Sequence, residues 1–158
     1  MKCLGSLCPP SLEVINTPRF VIRAGIIPYV ISPNFRGMIL GVKKGKYTDF
    51  GGGCKVSKME KPFDCAIREL KEETGSDMGV DLNNITHVFV SGKKHPHQVI
   101  LFVRVHEQIL RNSYIPKEEL DGIKPVSFSL YLGTGNHELE DSLKSIRDNL
   151  SSVIKNMT

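Results

Sequence analysis

Nowhere is this chain apolar for long enough to cross a membrane as a helix, which takes about 20 residues. Cysteine is sparse. Cys3, Cys8, Cys54 and Cys65 form neither a CxxC pair nor a dense framework. That spacing speaks against a disulfide-stapled scaffold and leads us to expect reduced thiols, Cys54 a spectator among them, in a cytoplasmic protein. The cysteine–histidine spacing of a structural zinc site is missing as well. Tryptophan is absent, and no aromatics cluster beside the lysines, so nothing offers single-stranded bases a stacking platform. Repeats, low-complexity tracts and signs of a second domain are lacking. The first residues, MKCLGSLCPPSLEV, carry one lysine and a broken apolar stretch, which makes a poor secretory leader.

What remains suits one globular domain. The 158 residues are 40% hydrophobic and 24% charged, ordinary values for a chain that buries its own core. Formal net charge is +4, with Lys43, Lys44 and Lys46 in one basic group and Lys93, Lys94, His95 and His97 in another. Such groups attract a polyphosphate or nucleic acid when they rim an acidic centre; solvated surface lysines are the plainer alternative. Pro96 between His95 and His97 favours a turn over a shared metal site.

The acidic centre lies in Gly51 to Gly75, GGGCKVSKMEKPFDCAIRELKEETG. Pro62 suits a first helical position, and Asp64 meets the positive end of the helix dipole. Phe63, Ala66, Ile67, Leu70 and Thr74 recur at spacings of three and four, one buried stripe. Gly75 can take the left-handed conformation that stops a helix. Glu69, Glu72 and Glu73 then span an arc of about 100° beside the stripe, with Arg68 on its flank. Three carboxylates on one side of a helix repel unless something positive joins them. A solvated acidic face is the bland account. The preceding glycine loop and Lys55, Lys58 and Lys61 favour a hard divalent cation, Mg²⁺ or Mn²⁺, held through carboxylates and substrate phosphates.

These residues resemble the Nudix box: glycine, five residues, Glu, seven residues, then Arg-Glu-aliphatic-x-Glu-Glu-x-Gly-aliphatic. Glu60, Arg68, Glu69, Leu70, Glu72, Glu73 and Gly75 match in register. The first glycine position falls on Cys54, so either Cys54 replaces it or the loop has one extra residue after Gly53. The last aliphatic position is Ser76. The resemblance implies hydrolysis of a nucleoside diphosphate linked to another moiety, with a divalent metal. Glu72 and Glu73 would be the main metal ligands, Gly53 would lend a main-chain carbonyl, and Glu69 would be a further ligand or the general base. Arg68 would orient Glu69, and Glu60 would fix Arg68. A carboxylate from beyond the box is often added, for which Glu118 and Glu119 are candidates; a helical first turn after Pro116 is the alternative. Lys43 and Lys55 are candidates for substrate phosphate.

The expected fold is an α/β/α Nudix sandwich, a mixed sheet between the box helix and a C-terminal helix, over residues 18–158 after an extension of residues 1–17. Strand-like segments run from Phe20 to Ser32, Gly37 to Lys44, Ile85 to Val90, Gln98 to Val105 and Val126 to Leu132. Tyr47 to Phe50 leads into the glycines where the family usually has Trp and Pro. Leu139, Leu143, Ile146, Leu150 and Ile154 mark one amphipathic helix from about Glu138 to Asn156. The partner implied is a small phosphorylated substrate such as a nucleoside polyphosphate. Capped RNA is an alternative, as is a Nudix-fold binder without activity; a protein that binds nucleic acid through its basic segments alone is a third reading.

Overall fold

The computed structural model describes residues 1–5, 21–92 and 97–157. Its centre is one mixed sheet built from β1 (Lys2–Leu4), β2 (Arg23–Ile31), β3 (Arg36–Lys43), β4 (Lys46–Thr48), β5 (Phe50–Gly53), β6 (Ile85–Ser91), β7 (Gln98–Arg104) and β8 (Gly122–Ser127). The main path runs β1-β6-β7-β2-β3-β4, with β5 paired to β2 and β8 to β3. β1 with β6 and β2 with β7 are parallel, and the remaining pairs are antiparallel. Pro28 sits where β2 changes antiparallel partner, from β5 at Arg23–Ile26 to β3 at Tyr29–Ile31. The missing N–H therefore falls between two ladders, where it breaks neither.

Alternation along the strands divides the core in two. Ala24, Ile26, Val99, Leu101 and Val103 face one side, where α1 (Pro62–Thr74) packs with Cys65, Ala66 and Leu70. Ile27, Tyr29, Ile100 and Phe102 face the other, against Leu143, Ile146, Leu150 and Ile154. An irregularity between Ile85 and His87 lets Ile85 and Val88 reach the same side despite their odd spacing. Helices thus cover both faces of the sheet. This is the α/β/α sandwich expected. No helix among the described residues is long and apolar enough to cross a membrane.

Two expected elements are corrected. The alternating VSFSLYL segment is not a strand throughout: β8 ends at Ser127, and α2 (Phe128–Leu132) follows. The Ser127 hydroxyl accepts from the Leu130 N–H at 3.1 Å, a helix cap. Phe128 and Tyr131, three apart, then both bury. The C-terminal helix is divided into α3 (Asp141–Lys144) and α4 (Arg147–Met157) after a 3₁₀ turn at Asn136–Glu138. Ile146 N–H bonds Leu143 O in a tightened turn, yet the stripe from Leu139 to Ile154 stays wholly buried. A change from 3.6 to three residues per turn shifts the backbone without turning the apolar face away.

Lys2–Leu4, from the segment expected to precede the domain, pairs with His87–Phe89 at the sheet edge. Lys93, Lys94 and His95 of the second basic group lie outside the described residues.

Candidate active site

Helix α1 begins at Pro62 and ends at Thr74, with Gly75 at φ 76° and its N–H on Lys71 O. Both ends are where the residue types place them. The helix buries Cys65 and Glu73 besides Ala66, Leu70 and Thr74, with Phe63 and Ile67 of the expected stripe half-buried. Since α1 packs beside β2 and β5, its acidic side meets the glycine strand Phe50–Gly53.

Arg68 organises the acids. Nε and Nη2 donate to the two oxygens of Glu60 at 2.8 and 2.9 Å, a fork-to-fork pair. Nη1 donates to Glu69 at 3.0 Å and to Glu72 at 3.1 Å, and Nη2 also reaches Gly53 O at 2.9 Å. Glu60 accepts in addition from the Lys55 N–H at 2.9 Å. Its hydrogen bonds with Arg68 hold Glu60 below the usual carboxylate range and raise Arg68 in turn. The carboxylates that would repel one another are thus gathered by one cation.

Glu73 is treated differently. It is 8% exposed, and its Oε1 is buried with no hydrogen-bond partner. Burial, then the charges of Asp49 and Glu69, push its carboxyl up to about 8, against the weaker pull of Arg23 and the Gly51 N–H. Glu69 is raised as well, first by burial. An orphaned buried oxygen beside two more carboxylates is costly alone and fits a hard divalent cation. Glu69, Glu72 and Glu73 line a cleft of about 390 Å³ with Gly51–Gly53, Lys43, Glu118 and Glu119.

The glycines are a steric requirement here. A Cβ on Gly52 would lie 2.5 Å from the Glu69 carboxylate, and one on Gly25 would lie 1.8 Å from an Asp49 oxygen. Asp49, its side chain fully buried, pairs with Arg23 through two 3.0 Å bonds and accepts from Ser142 Oγ at 2.8 Å. Neither Arg23 nor Asp49 was among the residues expected. The signals were an arginine inside the apolar run FVIRAGIIPYV and an aspartate just before the glycines. Their 26-residue separation hid the pairing.

The other candidates divide. Lys43 lines the cleft and pairs with Glu119 at 2.6 Å, which lowers Glu119 and raises Lys43. Glu118 and Glu119 occupy a loop, not a helical first turn, pinned over the site by Lys117 N–H on Glu73 O and Asp121 N–H on Val42 O. Lys55 does not line the cleft; its side chain is exposed and only its N–H bonds Glu60. Tyr47 packs half-buried against the C-terminal core.

The expectation of reduced thiols is overturned: Cys3 is disulfide-bonded, and Cys54 and Cys65 form a disulfide with each other. Their separation of 11 fits no recognised spacing, but pairing the glycine strand with α1 brings their Cα atoms to 5.3 Å, within bridging distance.

The profile of the NUDIX domain family matches residues 34–144, and the chain belongs to that family. Similar solved structures include the Nudix hydrolase RenU from M. smegmatis, at 14% identity and TM-score 0.66, covering 87% of this chain and 88% of that one. The MutT protein from Methanosarcina mazei is 15% identical with TM-score 0.61, covering 87% and 94%. An Ap4A hydrolase from C. elegans, in a binary complex, is 14% identical with TM-score 0.53, covering 85% and 94%. At these identities the likeness establishes the fold. A search of curated proteins gives no match.

Proposed function

We propose that this protein is a hydrolase that cuts the diphosphate linkage of a nucleoside diphosphate derivative with Mg²⁺ or Mn²⁺. The observation that carries the reading is the buried Glu73 carboxyl, one oxygen of it unpartnered, on a cleft lined also by Glu69 and Glu72. A cation bound there would neutralise phosphate oxygens and lower the pKa of a bound water. Glu72 and Glu73 would hold it, and Glu69 would serve as third ligand or as the base that takes the proton from water. Arg68 fixes Glu69, Glu60 fixes Arg68, and Gly53 carries its carbonyl into the same cluster. Gly75 sets the end of the helix that presents all three acids. Glu118 is the better-placed extra carboxylate, since Lys43 already engages Glu119. For substrate phosphate the reading favours Lys43 over Lys55, which stands outside the cleft.

The rest of the substrate has room next door. A cleft of about 900 Å³ shares Arg23, Lys43 and Thr48 with the first and continues to Gln98, Glu140 and Ser145. Its far end offers carboxylate, amide and hydroxyl groups, which suit the hydroxyls of a sugar. That supports a small nucleoside diphosphate derivative over capped RNA. An inactive binder is disfavoured by the intact Arg68 clamp and the full set of acids. The compartment proposed is the cytoplasm, and the Cys54–Cys65 bond is the observation against it; counting free thiols in protein isolated under a thiol trap decides between them.

The test is a hydrolysis screen with Mg²⁺ and then Mn²⁺ over nucleoside triphosphates, nucleotide sugars, dinucleoside polyphosphates, diphosphoinositol phosphates and capped RNA, with products identified by chromatography. Cleavage between two phosphorus atoms, abolished in Glu69→Gln, is expected. Tight binding of one panel member with no turnover would replace the hydrolase by a binder.

A further inference from the structure

The Cys54–Cys65 bond ties the end of the glycine strand to the first turn of α1. Both anchors touch the candidate site. Cys54 follows Gly53, whose carbonyl accepts from Arg68 at 2.9 Å. Cys65 is fully buried one turn before Glu69, with its Sγ 3.8 Å from Gly52 O. Gly52 lies so close to Glu69 that a Cβ would meet the carboxylate at 2.5 Å. Glu60, which holds Arg68, has a carboxylate oxygen within 4.8 Å of both sulfurs. The sulfur pair therefore adjoins the Arg68 clamp on one side and the Glu69 cradle on the other.

We propose that Cys54–Cys65 is a thiol–disulfide exchange site whose redox state sets the cation affinity of the cleft. The inference rests on the reading of Glu69, Glu72 and Glu73 as a cation site.

The reactant is a dithiol. Its thiolate attacks Cys54 Sγ, because Cys54 is half-buried and Cys65 is sealed. The protein S–S bond breaks, a mixed disulfide forms on Cys54, and Cys65 leaves as a thiolate near the helix N-terminus and takes a proton. The second thiol of the reactant then attacks its own sulfur in the mixed disulfide and releases Cys54, which is protonated in turn. The protein gains two electrons and two protons, and the reactant departs as its disulfide.

The consequence is steric. Bonded sulfurs lie about 2 Å apart, whereas unbonded heavy atoms settle at about 3.5–4 Å. Opening the bond lets the two sulfurs part by more than 1 Å, and because Cys65 is sealed in the core the adjustment falls on Cys54 and the strand end that carries it. Gly53 and Gly52 are the nearest residues to yield, and with them the Arg68 contact and the seat of Glu69.

The experiment uses the full chain with Cys3→Ser and Cys8→Ser, so that Cys54 and Cys65 are the only cysteines left. The protein is poised in reduced or oxidised dithiothreitol, its thiols are trapped and mapped by mass spectrometry, and Mn²⁺ affinity is read from the EPR signal of free Mn²⁺. Reduction is expected to weaken Mn²⁺ binding about tenfold, the scale seen when an outer partner of a metal ligand is disturbed. Cys54→Ser and Cys65→Ser should each give the reduced value in both buffers; if the buried Cys65 variant fails to fold, Cys54→Ser alone decides. Equal affinity in the two buffers overturns the proposal, as does recovery of free Cys54 and Cys65 thiols from the oxidised sample. Absence of Mn²⁺ binding in both states would sink the cation-site reading itself, and this inference with it.

Discussion

Glu73 makes the metal-free protein sensitive to pH in a direction opposite to most carboxylates. Its carboxyl stands at about 8 against an ordinary 4.5. The folded state thus holds the proton more tightly than the unfolded chain does. The stability this confers is complete below about pH 4.5 and is lost as pH rises through about 8. At roughly 1.4 kcal/mol per pH unit, the loss reaches about 3 kcal/mol by pH 7. For a chain of this length that is a fall of roughly 6–12 °C in Tm. Glu69 is raised too and adds in the same direction; Glu60, lowered, acts oppositely. The assay is a series of melts from about pH 5 to pH 8 in EDTA, for wild type and Glu73→Gln, repeated with Mn²⁺. Wild type in EDTA should fall steeply, and Glu73→Gln should be much flatter and more stable at the alkaline end. Mn²⁺ should restore wild type and leave the variant unmoved. Parallel curves for the two proteins in EDTA would refute the reasoning, because they would mean that Glu73 titrates as it does in the unfolded chain.

Three further outcomes follow from single contacts. Gly52→Ala places a Cβ 2.5 Å from the Glu69 carboxylate; the side chain must swing away, and turnover should drop about 100-fold, the scale of a 1 Å misplacement, with an unchanged melt. Asp49→Asn removes the charge that the partly exposed Arg23 pairs with, leaving it Gln98 and an amide oxygen, and should cost about 1–3 kcal/mol in urea unfolding. Tyr131 has a buried hydroxyl with no partner, so Tyr131→Phe should be neutral or stabilise by about 1 kcal/mol in the same assay.

The helix Pro62–Thr74 could be read from the chain, ends included, because local chemistry fixes it: proline first, glycine last, one apolar stripe between. The Arg68–Glu60 pair was legible through motif register. What escaped depends on contacts between segments. Arg23 with Asp49, and Cys54 with Cys65, meet only once β2, β5 and α1 have packed. VSFSLYL alternates like a strand, but the Ser127 cap and the burial of Phe128 with Tyr131 turn its second half into a helix. The C-terminal stripe was correct in every residue and still did not reveal the break near Ser145, since a tightened turn preserves the buried face.

The most direct test of the central claim pairs Mn²⁺ binding with turnover in wild type and Glu73→Gln. The account predicts that wild-type hydrolysis of its best substrate stops in EDTA and returns with Mn²⁺, while Glu73→Gln loses both binding and turnover yet keeps a cooperative melt. Hydrolysis that persists in EDTA, or a Glu73→Gln protein that binds Mn²⁺ as wild type does, would contradict it.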